Sequence, residues 1–280
     1  MQNISCNLCG IDTGKLLFES KDLLYGVTNK VFRVVRCTRC SLVYLNPQPE
    51  GAEIATFYPN TYRPYKIDDS TISYALPKEP KKNVLDVGCG SGDLLVNIAK
   101  KHPDWALYGL DFDARAVHIA RSFGFNIFHG SLPHARYENN FFDEIHMNHV
   151  LEHTPNPRET VEEAARILKD TGKLIIITPN FRSLSRIIFR NYWYHIDTPR
   201  HLFLFTPKTL RAVLKRAGLK KIKFQFIPSP KYFLQSYALL TKGKKQRYAR
   251  WIWKLFVIPA RFISALHLSS TMQIVASKKI

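Results

Sequence analysis

The run Val84-Leu-Asp-Val-Gly-Cys-Gly-Ser-Gly-Asp93 holds the densest chemistry in the chain. Asp86 sits inside an apolar strand pattern, and Gly88, Gly90 and Gly92 follow at GxGxG spacing. Glycines there let backbone approach a ligand closely and adopt positive φ, and the helix that follows starts with unpaired N–H groups facing the turn. A dinucleotide turn would space its glycines GxGxxG around a pyrophosphate. Here the third glycine comes one residue early. Asp86 would repel a pyrophosphate but suits a cationic amino-acid ligand. Asp111, in GLDFD, ends the next strand, where a carboxylate accepts bonds from both hydroxyls of a ribose. Capping the following helix is the competing role, and Asp113 is better placed for it. Phe112 would lie against the base of a nucleoside, with Ser131 and Leu132 edging that base after the third strand. Asn148, at the end of the fourth strand, borders the same crevice.

Cys6-x2-Cys9 and Cys37-x2-Cys40 are two knuckles separated by 27 residues. Four thiolates in two such pairs suit one tetrahedral zinc, with Gly10 and Ser41 allowing the tight turns. All four coordination positions would be filled by protein, so the metal would be structural. A pair of disulfides and a redox dithiol are the alternatives. Cys89, in the glycine loop, reads as a small packing residue.

Three units position these groups: a zinc-ribbon-like module at 1–50, a Tyr- and Pro-rich connector at 51–80, and a larger domain at 81–280. From Lys82 onward, short apolar strands (83–88, 106–111, 125–130, 142–148, 172–179) alternate with helices near 92–101, 113–123 and 157–169. That alternation predicts βαβ units and a parallel sheet. A helix near 207–217 stops at Gly218. Strands at 219–227 and 271–279 then flank a helical insertion at about 228–268. The fold class expected is α/β, with helices on both faces of the sheet.

VLDVGCGSG, GLDFD, FDEIHMNHVLEH and NPRETVEEAARILKDTGKLIIITPN, in that order, resemble the class I S-adenosylmethionine (SAM)-dependent methyltransferases. The likeness covers about residues 80–280 and is nearest to the ubiquinone-biosynthesis-like branch, with its type 11 and type 23 domains. It implies SAM as cofactor and a Rossmann-like seven-stranded, mostly parallel sheet with a reversed final hairpin. The quinone methyltransferases of that branch carry a Glu where this chain has His149, and hold a metal with it and a Glu-His pair matched by Glu152 and His153. This chain departs from that pattern. CTRCSLVYLNPQP resembles the zinc-ribbon leader of bacterial methyltransferases of the sugar and surface-polysaccharide type.

Methyl transfer is a one-step displacement that needs the acceptor aligned and, for a hydroxyl or carbon acid, deprotonated. His149, directly after the fourth strand, is the first candidate base. His195, Asp197 and His201, in WYHIDTPRHLFLF, form the second group. Their connector leaves the fifth strand and could roof the same crevice, with His195 and Asp197 as an oriented base and its partner and Arg200 holding an acidic group. Bracing of the loop by hydrogen bonds is the plain alternative for each of these. Glu152 and His153 are expected to organise the loop or the start of the next helix.

The net charge is +19. Residues 198–280 carry 18 Lys and Arg and no Asp or Glu, whereas residues 1–197 are nearly balanced. Such asymmetry favours a polyanionic partner, or is a solubilising excess. Within 245–266 aromatic and basic residues fall on separate helical stripes, as in a helix that lies on an anionic membrane surface. Packing of its apolar face on the domain would look the same. Absence of a signal-like start or an apolar span predicts a cytoplasmic protein, peripheral to the membrane at most. The leading expectation is methyl transfer to a hydroxyl or carbon of a small-molecule or sugar acceptor, in surface-polysaccharide or lipid-linked glycan synthesis. An RNA methyltransferase using the ribbon and basic tail, and a non-catalytic SAM-binding scaffold, are the competing readings.

Overall fold

The computed structural model describes residues 1–59, 62, 73–241 and 260–279. The chain opens with β1 (Gly14–Ser20), β2 (Phe32–Cys37) and β3 (Val43–Leu45), joined as an antiparallel meander. A short helix, α1 (Gly51–Thr56), follows. Then come β4 (Asn83–Val87), α2 (Asp93–Lys101), β5 (Ala106–Asp111), α3 (Ala114–Ser122), β6 (Asn126–His129) and β7 (Phe142–Asn148). Next are α4 (Pro157–Ile167), β8 (Leu168–Pro179), α5 (Leu184–Phe189), β9 (Phe203–Leu204) and α6 (Pro207–Arg216). The chain continues with β10 (Lys221–Ile227), α7 (Pro230–Leu240) and β11 (Thr271–Ser277).

Seven strands form one sheet in the order β10-β11-β8-β7-β4-β5-β6. Strands β4 to β8 pair parallel, and β11 lies antiparallel between β8 and β10, which is the reversed hairpin expected. Neighbouring residues of a strand point to opposite faces. Val84 and Leu107 accordingly join a core with α2 and α3, while Leu85, Ile145 and Leu174 join a second core with α4 and α6. Both faces are covered, so the strands are apolar runs and not alternating ones. α6 starts at Thr206 with a reciprocal capping box. α4 passes directly into β8, so that strand begins at Leu168, four residues before the expected start.

Two features of the fold go beyond the sequence pattern. The 180–206 connector is built of short helical turns around α5 and then supplies β9, whose Phe203 and Leu204 pair with Tyr44 and Val43 of β3. The N-terminal sheet is thus completed by the connector, and its apolar residues Cys6, Leu8, Phe32 and Tyr44 share one core with Phe203, Leu210 and Ile274. The amphipathic helix expected at 245–266 lies outside the described residues up to 259; residues 260–265 are helical.

Candidate functional site

β4 ends in the glycine turn, and the turn is tied to β5. The Gly88 and Cys89 N–H groups donate to Leu110 O, and the Gly90 N–H donates to Asp111 Oδ2 at 2.8 Å. Gly88, Gly90 and Gly92 all have positive φ, so the turn needs the conformation that glycine alone adopts without strain. Asp111 Oδ1 accepts from Asp113 N, and Asp113 caps α3 through Arg115 N, the cap role expected of Asp113. Asp86 and Asp111 are both buried. The carboxylate, the glycine turn and the second carboxylate therefore form one unit at the carboxyl ends of adjacent strands. Phe112 lies exposed beyond Asp111, Ser131 is exposed with its hydroxyl on His134 Nδ1, Leu132 is buried, and Asn148 is exposed at the end of β7.

The loop after β7 reaches the same turn. A Cβ on Gly88 would come 2.5 Å from Val150 Cγ2, so the Val150 side chain occupies the space that a side chain at 88 would need. One residue earlier is His149, held at φ 53 with its N–H donating to Ile177 O of β8. A non-glycine residue in this region carries strain of about 1–3 kcal/mol, kept only where the surroundings enforce it. His149 Nδ1 is 3.0 Å from Glu152 Oε1, and Thr178 Oγ1 donates to Glu152 Oε2 at 2.9 Å. Burial opposes the charge of Glu152, yet its bond to His149 and the nearby imidazoles of His153 and His201 hold the carboxyl at about 2. The pair is an imidazole oriented by a buried carboxylate, the arrangement of a general base and its partner. Glu152 was expected to organise a loop, and its spacing of three from His149 was the signal available in the sequence.

His195 is buried and stacks between His149 and His201, at ring-centre distances of 5.8 and 6.4 Å, with Tyr232 of α7 at 4.1 Å. Its Nε2 has no hydrogen-bond partner among the described residues. Burial, with the neighbouring His149 and His201, pushes its pKa well below the ordinary histidine value, so the ring is neutral at pH 7. The expected pairing of His195 with Asp197 is not what the structure has. Asp197 accepts from Arg200 Nε at 2.8 Å, and its nearest imidazole is His201, at 3.9 Å. Nor does Arg200 face an acceptor. Its guanidinium is fully buried and held by Asp22, Asp197 and Phe57 O. The reason is packing: a buried guanidinium must have its donors satisfied inside the protein.

Tyr58 is a further residue that the sequence reading passed over. Its ring meets Phe112 edge-on at 5.6 Å, and its hydroxyl lies 3.0 Å from His153 Nδ1. It thus links the Asp111 side of the crevice to the histidine side. Glu152, His153 and His201 carry donor atoms within 4.8 Å of one another. However, both oxygens of Glu152 already have partners in His149 and Thr178.

The four N-terminal cysteines converge as their spacing predicted. Cys6 and Cys40 sulfurs are 3.4 Å apart, as are those of Cys9 and Cys37, and all four lie within 4.8 Å. All are free thiols. Thiolates at about 2.3 Å from a tetrahedral zinc stand about 3.8 Å apart, so the cluster fits that ion. Gly10 and Ser41 have φ 75 and 65, as the knuckle turns require. Burial alone would push the Cys37 thiol up, but the N–H groups of Cys40 and Arg39 bring it down to about 7.

Residues 60–223 match the family described as a methyltransferase domain. The ubiquinone biosynthesis O-methyltransferase of Erwinia tasmaniensis is 32% identical over 111 residues, 37% of this chain and 45% of that protein. The protein of the same name from Azoarcus sp. is 27% identical over 157 residues, 50% of this chain and 65% of that one. The chain spans about half the length of the curated relatives it matches. Among solved structures, the cyclase SpnF aligns with a TM-score of 0.51 at 20% identity, over 72% of this chain and 77% of its own. The phosphoethanolamine N-methyltransferase 2 of Haemonchus contortus, solved with SAM, aligns at 0.51 and 16%, over 73% and 50%. Likeness at these identities shows the fold, and one fold hosts different reactions.

Proposed function

The chain belongs to the methyltransferase-domain family, and from that premise we propose that it is a SAM-dependent enzyme that methylates a hydroxyl or carbon of a small-molecule or sugar acceptor. The observation that carries the reading is the His149–Glu152 pair, one residue from the Val150 contact with the Gly88 turn. Asp86, the turn of Gly88, Gly90 and Gly92, and Asp111 would hold the cofactor, with Phe112, Ser131, Leu132 and Asn148 around its nucleoside. SAM, when bound, supplies an electrophilic methyl group. His149 takes the acceptor's proton as its oxygen or carbon becomes nucleophilic, and Glu152 stabilises the imidazolium that forms. His195, neutral and buried, lines the acceptor side with His201 and keeps water away. Incubation with SAM and a panel of phenolic and sugar hydroxyl acceptors, read by S-adenosylhomocysteine release, tests this. Turnover should fall by about a hundredfold or more in His149→Ala. A His149→Ala variant as active as the parent would remove the base.

The Cys6, Cys9, Cys37 and Cys40 cluster is assigned a structural zinc, on the fit of its sulfur spacing. About one zinc per chain is expected by metal analysis, and none in protein prepared without chelator would remove the ion. The acceptor is placed in surface-polysaccharide or lipid-linked glycan synthesis, in a cytoplasmic setting peripheral to the membrane. Support comes from the charge of the last third of the chain and from Phe262 and Leu266, exposed beside Arg261. No helix among the described residues is long and apolar enough to cross a bilayer. Binding to anionic liposomes at low salt would sustain that placement.

A further inference from the structure

The match to the methyltransferase domain begins at residue 60, yet the loop that carries His195 and His201 is held largely by residues before it. Arg200 lies between those two histidine-bearing turns. Its Nη1 and Nη2 donate to the two carboxylate oxygens of Asp22 at 3.1 and 2.5 Å, and both side chains are fully buried. Asp22 is itself fixed by the N–H groups of Tyr25 and Val27, and the Tyr25 ring covers the guanidinium at 4.6 Å. Burial opposes the charge of Asp22, but the guanidinium outweighs it and lowers the pKa of the carboxyl.

On its other side Arg200 Nε donates to Asp197 Oδ1. Asp197 has φ 33, a left-handed conformation that a non-glycine residue keeps only under constraint. The Asp197 carbonyl accepts from Arg200 N and His201 N, and His201 Nδ1 is 2.8 Å from His195 O. A line of hydrogen bonds therefore runs from a carboxylate in the N-terminal module to the His201 imidazole and, through it, to the backbone carbonyl of His195.

We propose that Asp22 is a positioning residue of the methyl-transfer site: through Arg200 it fixes the strained Asp197 turn and so sets His195 and His201 in place. This rests on the acceptor-side reading given above. It makes the N-terminal module part of the site's construction, and not an appendage to a domain complete without it. Asp22 touches neither cofactor nor acceptor and acts only through Arg200.

The test uses the full-length, zinc-replete chain and needs no acceptor. Asp22→Asn removes the charge at constant shape, and Asp22→Glu keeps the charge one methylene further out. Three quantities are read on each: the melting temperature, SAM affinity by calorimetry, and the His195 imidazole titration by NMR. Asp22→Asn should leave SAM affinity within about threefold, because among the described residues the hydrogen bonds of Asp22 go to Tyr25, Val27 and Arg200 and not to the Asp111 side. Its His195 should titrate close to the ordinary value of about 6.5, as water enters the loosened loop, and Asp22→Glu should fall between Asn and the parent. A lowered melting temperature with His195 still titrating far below 6.5 in both variants would make Asp22 a brace only and overturn the proposal. Should Asp22→Asn fail to fold, the Glu variant decides by the same two results. His149→Ala separates the failures: if it is fully active, the base reading falls whatever Asp22 does. If it is inactive while the Asp22 variants leave His195 undisturbed, only the positioning role falls.

Discussion

The two sides of the crevice are made in different ways. The Asp111 side is local: Asp86, the glycine turn and Asp111 lie within 26 consecutive residues of β4, α2 and β5. Within that stretch Gly90 N donates to Asp111 and Gly88 N to Leu110. The histidine side is assembled from distant chain segments: Asp22, Tyr58, His149 with Glu152, His195 to His201, and Tyr232. A cofactor shared across a family can be held by one conserved-shape turn. An acceptor that differs between proteins calls for a wall whose parts vary separately, and on the reading proposed above the N-terminal module and the 180–206 connector would supply it. The difference predicts that variants should divide cleanly: those on one side change SAM affinity, those on the other change turnover.

His149→Ala should show the largest such split. Removal of a positioned base costs about a hundredfold to ten-thousandfold in rate, and SAM affinity by calorimetry should stay within about twofold. A parallel loss of both would merge the two sides into one. Gly88→Ala lies at the seam. Its Cβ would meet Val150 at 2.5 Å while φ is 69, and strain of about 1–3 kcal/mol should lower SAM affinity roughly tenfold and also slow turnover. This is the one variant expected to affect both. Acid should weaken the histidine side. Glu152 is held at about 2 against an ordinary 4.5, so its contribution to stability is complete above about pH 4.5 and is lost as pH falls towards 2. Glu152→Gln should flatten that limb of a pH-dependent unfolding curve, and an unchanged limb would deny Glu152 its charged, paired state. The smallest effect is Phe112→Ala. An exposed ring beside the nucleoside is worth about 1 kcal/mol, a fewfold loss in SAM affinity with turnover at saturation unchanged.

This division also explains what was legible beforehand. The sheet, its reversed hairpin, the glycine turn, the Asp113 cap and the convergence of four cysteines all follow from short-range spacing, which sequence displays directly. The pairing of β3 with β9 does not, because Tyr44 and Phe203 are far apart in the chain and only the fold brings them together. For the same reason WYHIDTPRH suggested a His195–Asp197 pair. Within one loop they look like partners, but the left-handed turn at Asp197 sends its carboxylate to Arg200. The buried guanidinium found its second carboxylate in Asp22, 178 residues away, with no local signal to announce it.

Titration calorimetry of SAM into the parent chain, Asp111→Ala and His149→Ala tests the division most directly. The account predicts one SAM per chain for the parent, binding at least about a hundredfold weaker for Asp111→Ala, and parent-like binding for His149→Ala. Unchanged affinity in Asp111→Ala would contradict it, because the carboxylate that anchors the glycine turn would then have no part in holding the nucleoside.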